Sequence, residues 1–201
     1  MRRRRPEPGA RRGRTAGHRR RIVPRSGLGV FAAILLVGTW PYTLVPPDRF
    51  APPRPFSGPE LKNPYAGANG RWWKANFHAH SEAWDGITNG HQPPAEVLRA
   101  YHEMGYDIAA VSNYQSIYGA GRQDPVFIPV YEHGYNIRKV HELVIGAKRV
   151  TWLDFPLDQD LSDKQFMLDR LDAAGGIVAI AHPWLRNGYT TRTCATCRAT
   201  P

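Results

Sequence analysis

The chain has 201 residues, 42% of them hydrophobic, which is enough for the core of one domain of ordinary size. Its formal net charge is +10 at pH 7, but the eleven arginines and one glutamate of residues 1–25 account for all of it. The rest of the chain is neutral, so it lacks the basic, aromatic-rich face of a nucleic-acid-binding domain. We expect no nucleic-acid partner.

The arginine-rich segment, residues 1–25, allows two interpretations. It could bind nucleic acid through charge alone. Next to an apolar segment, however, arginines hold the chain's near end in the cytoplasm and attract anionic lipid. We therefore interpret residues 1–25 as a cytoplasmic tail that sets membrane topology.

The apolar segment that follows has no charged residue from 27 to 45 and approaches the ~20 residues that a helix needs to cross a bilayer. Trp40 and Tyr42 stand at its far end, where aromatic side chains favour the membrane interface. This pattern predicts a transmembrane anchor over residues 26–45, with the lipid bilayer as partner and an extracytoplasmic C-terminal domain. A cleaved signal peptide is the alternative, although the segment is long for one and lacks a clear cleavage site. A buried core helix would normally show a polar face.

Residues 46–70 contain seven prolines with few apolar residues between them, which predicts an extended linker. From 71 to 190 the pattern alternates between short strand-like and helix-like segments. Strand, helix and strand in turn predict a mainly parallel α/β sheet or barrel, whose chemistry lies at the C-terminal ends of the strands. The predicted strands are 72–77, 107–112, 126–131, 141–146 and 177–181, and the predicted helices are 93–105 and 162–171.

Polar side chains stand where the predicted strands end. His78 and His80 are two residues apart, so both imidazoles point to the same face of a strand. Glu132 and His182 end two other strands, which would bring metal-type ligands from independent strands to one edge. Each of these residues alone is compatible with an ordinary structural role, and their joint placement indicates a metal site.

Several motifs, in order, resemble those of the PHP (polymerase and histidinol phosphatase) family over residues 72–190. Residues 76–81 are similar to the D-L-H-x-H-T motif, and residues 85–86 stand where the family has the last two residues of S-D-G. Residues 128–132 resemble the glutamate motif, and residues 141–146 the histidine that opens an apolar strand. Residues 175–183 match the A-H-P motif.

The resemblance implies a fold, a cofactor and an activity. The fold would be a partial PHP-type distorted β/α barrel at residues 71–190, preceded by the transmembrane helix. The cofactor would be one to three divalent ions of zinc, manganese or iron, with Glu132 as the bridging carboxylate. The activity would be hydrolysis of a small phosphorylated substrate by metal-bound hydroxide. The ligands carried over from the family motifs are His78, His80, Asp85, Glu132, His141 and His182.

Two departures from the family pattern leave a catalytically inactive metal-binding or structural domain as the alternative. Residues 112–115 read Ser-Asn-Tyr-Gln where the family has T-D-H, and neither asparagine nor tyrosine is an anion or imidazole at neutral pH. The chain also ends before the family's D-x-H motif. Residues 191–201 lack any strand or helix period and suggest a truncated domain with an aberrant, frameshifted tail. Cys194 and Cys197 in that tail lack the context of a zinc, redox or haem motif.

Overall fold

The computed structural model describes residues 25–47, 50, 65–87, 90–119 and 126–190. The chain divides into two compact units, Met1–Leu35 and Leu36–Pro201, and all five strands belong to the second unit. Most of the arginine-rich tail and of the proline-rich linker, and the whole of 191–201, lie outside the described residues. The predictions for those segments therefore have no structural counterpart.

The first helix, α1, covers Arg25–Thr39 and is followed directly by a 3-10 turn at Trp40–Thr43. At 1.5 Å per residue its 15 residues span about 22 Å, whereas the hydrocarbon core of a bilayer is about 30 Å thick. Among the described residues, none of the helices combines the length and the apolar character needed to cross a membrane. The predicted transmembrane anchor over 26–45 and the single-pass membrane location built on it are wrong.

The end of the predicted anchor belongs to the core of the second unit. Pro41 is buried, and the Tyr42 ring packs against the Phe155 ring with centroids 5.1 Å apart. The Tyr42 hydroxyl also accepts a hydrogen bond of 3.0 Å from the Leu157 backbone N–H. An amphipathic aromatic side chain suits a membrane interface and a half-buried core position equally well. The sequence alone therefore did not distinguish the two for Tyr42.

The strands are β1 (Ala75–Asn76), β2 (Ile108–Ala109), β3 (Val130–His133), β4 (His141–Ile145) and β5 (Ile177–Ala181). They form two small sheets. In the first sheet β1 and β2 are parallel, and in the second the order is β3-β4-β5 with both pairs antiparallel. The predicted mainly parallel, partial β/α barrel is therefore wrong, since no closed barrel forms among the described strands.

Two of the predicted helices are confirmed with shifted ends. Helix α2 covers Pro94–Glu103, with proline in its first turn, and Gly105 follows it with φ +77°. Helix α3 covers Leu161–Ala173. Its N-cap is Asp160, whose carboxylate accepts from the Asp163 N–H while the Asp163 carboxylate accepts from the Asp160 N–H, both at 2.9 Å. This capping box fixes the start of α3.

The three-stranded sheet separates two sets of buried side chains. On one face Tyr131 and Val144 pack with Met167 and Leu171 of α3. On the other face Val130 and Leu143 pack with residues of the β1–β2 region. Because alternate residues of a strand face opposite sides, Glu132 and His141 share the second face, next to the segment that follows β1.

Candidate metal centre

The two histidines nearest β1 lie in an extended segment that follows the strand rather than within it. The His78 N–H donates to the Asn76 side-chain oxygen at 3.1 Å, directly after β1. Ala79 between the histidines is buried, and its N–H donates to the Ser112 hydroxyl at 3.2 Å. The segment after β2 thus holds His78 and His80 in place, as the strand-end prediction required.

The Asn113 side chain bonds to the segment that carries the two histidines. Its side-chain oxygen accepts from the Ser81 N–H at 2.9 Å, and its amide nitrogen donates to the Ser81 hydroxyl at 2.8 Å. Both polar atoms of the buried amide are therefore satisfied by Ser81. Asn113 stands where the T-D-H motif has aspartate, and here its side chain joins the segment after β2 to Ser81, next to His80.

Glu132 lies at the centre of the site. Its side chain is fully buried, and four imidazole nitrogens lie within 3.2 Å of its carboxylate. Oε2 is 3.2 Å from His78 Nε2 and 2.8 Å from His80 Nε2. Oε1 is 2.9 Å from His141 Nδ1 and 2.8 Å from His182 Nε2. The carboxylate thus divides the four histidines into two pairs, one at each oxygen.

The electrostatics of Glu132 favour the ionised carboxylate. Burial by itself would raise its pKa, but the close imidazoles, those of His141, His78 and His80, outweigh burial and hold the pKa far below the ordinary range. A buried carboxylate with imidazole nitrogens around it provides donor atoms that suit zinc and similar divalent ions.

The spacing of these atoms fits a metal ion. Ligands bound at about 2.0–2.1 Å with angles of 90–110° lie roughly 2.9–3.4 Å from one another. The nitrogen–oxygen distances to Glu132 are 2.8–3.2 Å, and His141 Nδ1 lies 3.3 Å from His182 Nε2. Ligand atoms of His78, Glu132 and His182 all lie within 4.8 Å of one another. The structure therefore contains a His/Glu cluster that can bind a metal ion.

Two features of the cluster carry an energetic cost. The His182 backbone has φ +31°, a conformation that side-chain-bearing residues adopt rarely and that is enriched at functional sites. Glu132 Oε2, His141 Nε2 and His182 Nδ1 are buried and have no hydrogen-bond partner among the described residues. A cation at the carboxylate would offset the cost of burying Glu132 Oε2 without a hydrogen bond.

Asp85 is the one predicted ligand that the structure does not bring to the cluster. It lies exposed in the 3-10 turn Trp84–Gly86, with φ +53°. It belongs to no metal-ligating group found in the described part of the chain. The other five predicted ligands lie together. Ring nitrogens of four histidines are within 3.2 Å of the Glu132 carboxylate, those of His78, His80, His141 and His182.

Tyr114, predicted from its residue type to be only a weak ligand, has a different role in the structure. Its ring packs between His80 and His141, at centroid distances of 4.8 Å and 5.1 Å. Burial, together with the charge of Glu132, raises the pKa of Tyr114 to about 12, so its hydroxyl stays protonated at neutral pH. The Tyr114 ring forms one wall of the site. In the sequence, its position directly after Asn113 is the only indication of this role.

A second buried polar cluster, also missed, lies on the other face of the sheet. His133 Nδ1 is 3.0 Å from Glu142 Oε2, and its Nε2 donates to the Leu153 carbonyl at 2.8 Å. The Tyr189 hydroxyl donates to the other oxygen of Glu142. The sequence signal for this cluster is the alternation of polar pairs at 132–133 and 141–142.

Comparison of the chain with protein-family models, with curated proteins and with solved structures finds no significant match.

Proposed function

We propose that this chain is a PHP-like, metal-dependent phosphoesterase whose metal site is the Glu132 cluster. The observation that carries the proposal is the convergence of four imidazole nitrogens on one fully buried carboxylate. A structural ion pair needs only one histidine, so four imidazoles gathered on one buried carboxylate are more than such a pair requires. The motif order along the sequence adds support from the resemblance to the PHP family.

The donor set suits zinc, manganese or iron, because imidazole nitrogen with carboxylate oxygen is typical of these ions. His141 and His182 would hold an ion at one oxygen of Glu132, and His78 and His80 at the other. The four histidines and Glu132 would together provide enough donor atoms for the range of one to three ions that the family resemblance implies. A divalent ion supplies Lewis acidity, which acidifies water and offsets the charge of a phosphate group.

The chain's own residues contribute position and environment. Glu132 stays ionised under its hydrogen bonds and fixes the four rings around one centre. Partial exposure of the His78, His80 and His182 side chains, between 26% and 32%, leaves that side of the cluster open to a substrate. His141 is only 1% exposed and anchors the site on β4.

The test is to load the protein with zinc or manganese, measure bound metal, and assay p-nitrophenyl phosphate and its bis ester. We expect bound metal and turnover, with His78→Ala reducing turnover at least a hundredfold. The matched control is His91→Ala, which removes an exposed histidine outside the cluster and should leave turnover unchanged. Absence of bound metal in the wild-type protein would overturn the proposal.

A metal-binding domain without hydrolytic activity is the second candidate, and the commitment of Asn113 to Ser81 favours it. That amide occupies the position of a family ligand and offers no charge to a metal ion. Bound metal without turnover of either ester, in every metal tested, would support this candidate.

A further inference from the structure

A pocket of about 700 Å³ adjoins the metal site, and two of its lining residues connect it to the cluster. The Tyr114 ring packs on His80 and His141, at centroid distances of 4.8 Å and 5.1 Å. Gly134 lies so close to His141 that a Cβ atom there would be 2.5 Å from Cδ2 of the imidazole ring. A molecule with its phosphate at the Glu132 cluster could therefore extend its organic part into this pocket.

The lining of the pocket carries large apolar side chains that are open to solvent. Four of them are between 46% and 81% exposed, those of Trp84, Ile87, Tyr135 and Trp152. Exposed apolar side chains gathered in one concave site are typical of surfaces that bind a ligand. An apolar group that covered them would remove their surface from water, which favours binding.

The polar groups of the same lining are engaged within the protein. The Trp84 indole N–H donates to the Tyr114 carbonyl at 2.8 Å, and the Tyr135 hydroxyl donates to the Trp152 carbonyl at 3.1 Å. The side-chain oxygen and nitrogen of Gln115 are buried, so a ligand in the pocket does not reach them. A polar ligand group would lose its hydrogen bonds to water and find little to replace them. The pocket therefore favours an apolar group over a sugar or a base.

Backbone strain is gathered around the pocket as well. Three lining residues from three separate segments have a left-handed backbone, with φ of +52° at Trp84, +50° at Gln115 and +59° at Lys139. Residues with side chains rarely adopt this conformation, and those that do are enriched at sites that hold a ligand. This strain supports a binding role for the pocket.

Lys139 is the charged residue of the lining. Its ammonium nitrogen lies 5.8 Å from the centre of the Tyr114 ring, which is the wall shared with the metal site. This positive charge favours an anionic ligand over a neutral one. An apolar surface with a cation near the metal site matches an ester that joins an apolar organic group to a charged phosphate.

We propose that this pocket binds the apolar alkyl or aryl group of a phosphate ester whose phosphate lies at the Glu132 cluster. This inference rests on the proposed phosphoesterase function and adds the substrate class, a phosphate ester of an apolar alcohol. In the reaction the oxygen of water bonds to phosphorus and the bond between phosphorus and the ester oxygen breaks. A proton from the water passes to the released alcohol.

The test is calorimetric titration of the metal-loaded full chain with n-hexylphosphonate and with methylphosphonate. The two probes carry the same anionic group and are not hydrolysed, so the ratio of their affinities reports on the pocket. Each buried methylene is worth about fourfold in affinity, and the hexyl chain has five more methylenes than the methyl group. We expect n-hexylphosphonate to bind at least about thirtyfold more tightly. The specificity constant kcat/KM should favour n-hexyl phosphate over methyl phosphate in the same direction.

Two substitutions in the lining locate this preference. Ile87→Ala and Trp152→Ala should each reduce the affinity ratio at least about threefold and leave the affinity for methylphosphonate within about twofold. Both side chains are more than half exposed, so we expect both variants to fold. The matched controls are Ile177→Ala and Trp72→Ala, which change exposed residues of the same types outside the lining and should keep the full ratio.

Failure of the pocket and failure of the enzyme give different results. The apolar-ester proposal is overturned if n-hexylphosphonate binds no more tightly than methylphosphonate, or if both lining variants keep the wild-type ratio, even when p-nitrophenyl phosphate is hydrolysed. If the preference is present and falls in the lining variants but no ester is hydrolysed, the pocket stands and the phosphoesterase function fails.

Discussion

Glu132 and His133 are consecutive residues of β3, face opposite sides of the sheet, and each is a fully buried member of a different polar cluster. Glu132 receives the four histidines of the metal centre, and His133 pairs with Glu142 on the other face. The neighbouring strand repeats the pattern, since His141 faces the metal centre and Glu142 faces away. Two adjacent strands thus support two buried polar clusters, and any shift in their register would disrupt both.

The second cluster should contribute to stability without contributing to metal binding. Tyr189→Phe removes the hydroxyl that donates to the buried Glu142 carboxylate. A hydrogen bond to a charged group is worth about 1.5–3 kcal/mol, and we expect a loss of that size in the free energy of unfolding measured by urea denaturation. Zinc affinity should stay within a factor of about two.

The control for this variant is Tyr101→Phe. Tyr101 lies on α2, is only partly buried and packs edge-on against Tyr106, so loss of its hydroxyl should change stability by less than about 0.5 kcal/mol. Equal effects of the two substitutions would show that Glu142 does not depend on the Tyr189 hydroxyl.

Stability should depend on pH through His133. Burial alone would lower the pKa of His133, but the hydrogen bond and the charge of Glu142 outweigh burial and raise it. Because the folded state binds this proton more tightly than the unfolded state, the stabilisation is complete below the unfolded pKa of about 6.5. It is lost as the pH rises through the folded-state pKa.

The measurement is the melting temperature of the wild type and of His133→Gln from pH 5.5 to 9.5, with a chelator present so that metal binding does not contribute. We expect the advantage of the wild type to be greatest at pH 5.5–6.5 and to shrink at higher pH. A constant difference between the two proteins across this range would contradict the raised pKa.

Local patterns predicted the helices well and the arrangement of the strands poorly. The start of α2 at a proline and the apolar strand β5 follow directly from local sequence. The antiparallel pairing of β3 with β4 was also accessible, since residues 134–140 are fewer than the roughly twelve needed for a parallel crossover. Asn136 closes this connection by bonding both the N–H and the C=O of Val140, a role that composition does not reveal.

The candidate ligands were predictable, and their surroundings were not. His78, His80, Glu132 and His182 carry chemistry in their side chains, so residue type and strand-end position were enough to select them. The burial of Gln115 without a hydrogen-bond partner among the described residues, by contrast, is a property of the tertiary fold alone. The long apolar segment misled the analysis because hydropathy does not distinguish a membrane span from a helix of 15 residues followed by a core-packed turn.

Gly134 should be required for the position of His141. Its backbone has φ +119°, and a Cβ atom there would lie 2.5 Å from Cδ2 of the His141 ring and 2.7 Å from the Val140 carbonyl oxygen. Gly134→Ala should therefore combine backbone strain with a displaced ligand. We expect a loss of about 2–5 kcal/mol in stability and a zinc affinity at least tenfold weaker, measured by denaturation and by calorimetric titration.

Gly105→Ala separates backbone strain from the clash. Gly105 has φ +77°, and a Cβ atom there would meet nothing within 4 Å. That substitution should cost about 1–2 kcal/mol and leave zinc affinity unchanged. If both alanine variants bound zinc as tightly as the wild type, His141 would not be a ligand.

Metal binding itself should stabilise the fold, and Glu132 should be the residue on which this depends. At a free zinc concentration one hundred times the dissociation constant, binding to the folded state adds about 2.7 kcal/mol, which corresponds to roughly 5–10 °C in the melting temperature. Glu132→Gln removes the anion that the four histidines surround, so zinc should shift its melting temperature by less than about 2 °C. Glu82→Gln, an exposed change outside the cluster, should keep the full shift. Because the ligands must be deprotonated to bind, the zinc-induced shift in melting temperature should also fall at acid pH. An equal shift for wild type and Glu132→Gln would mean that zinc binds elsewhere on the chain.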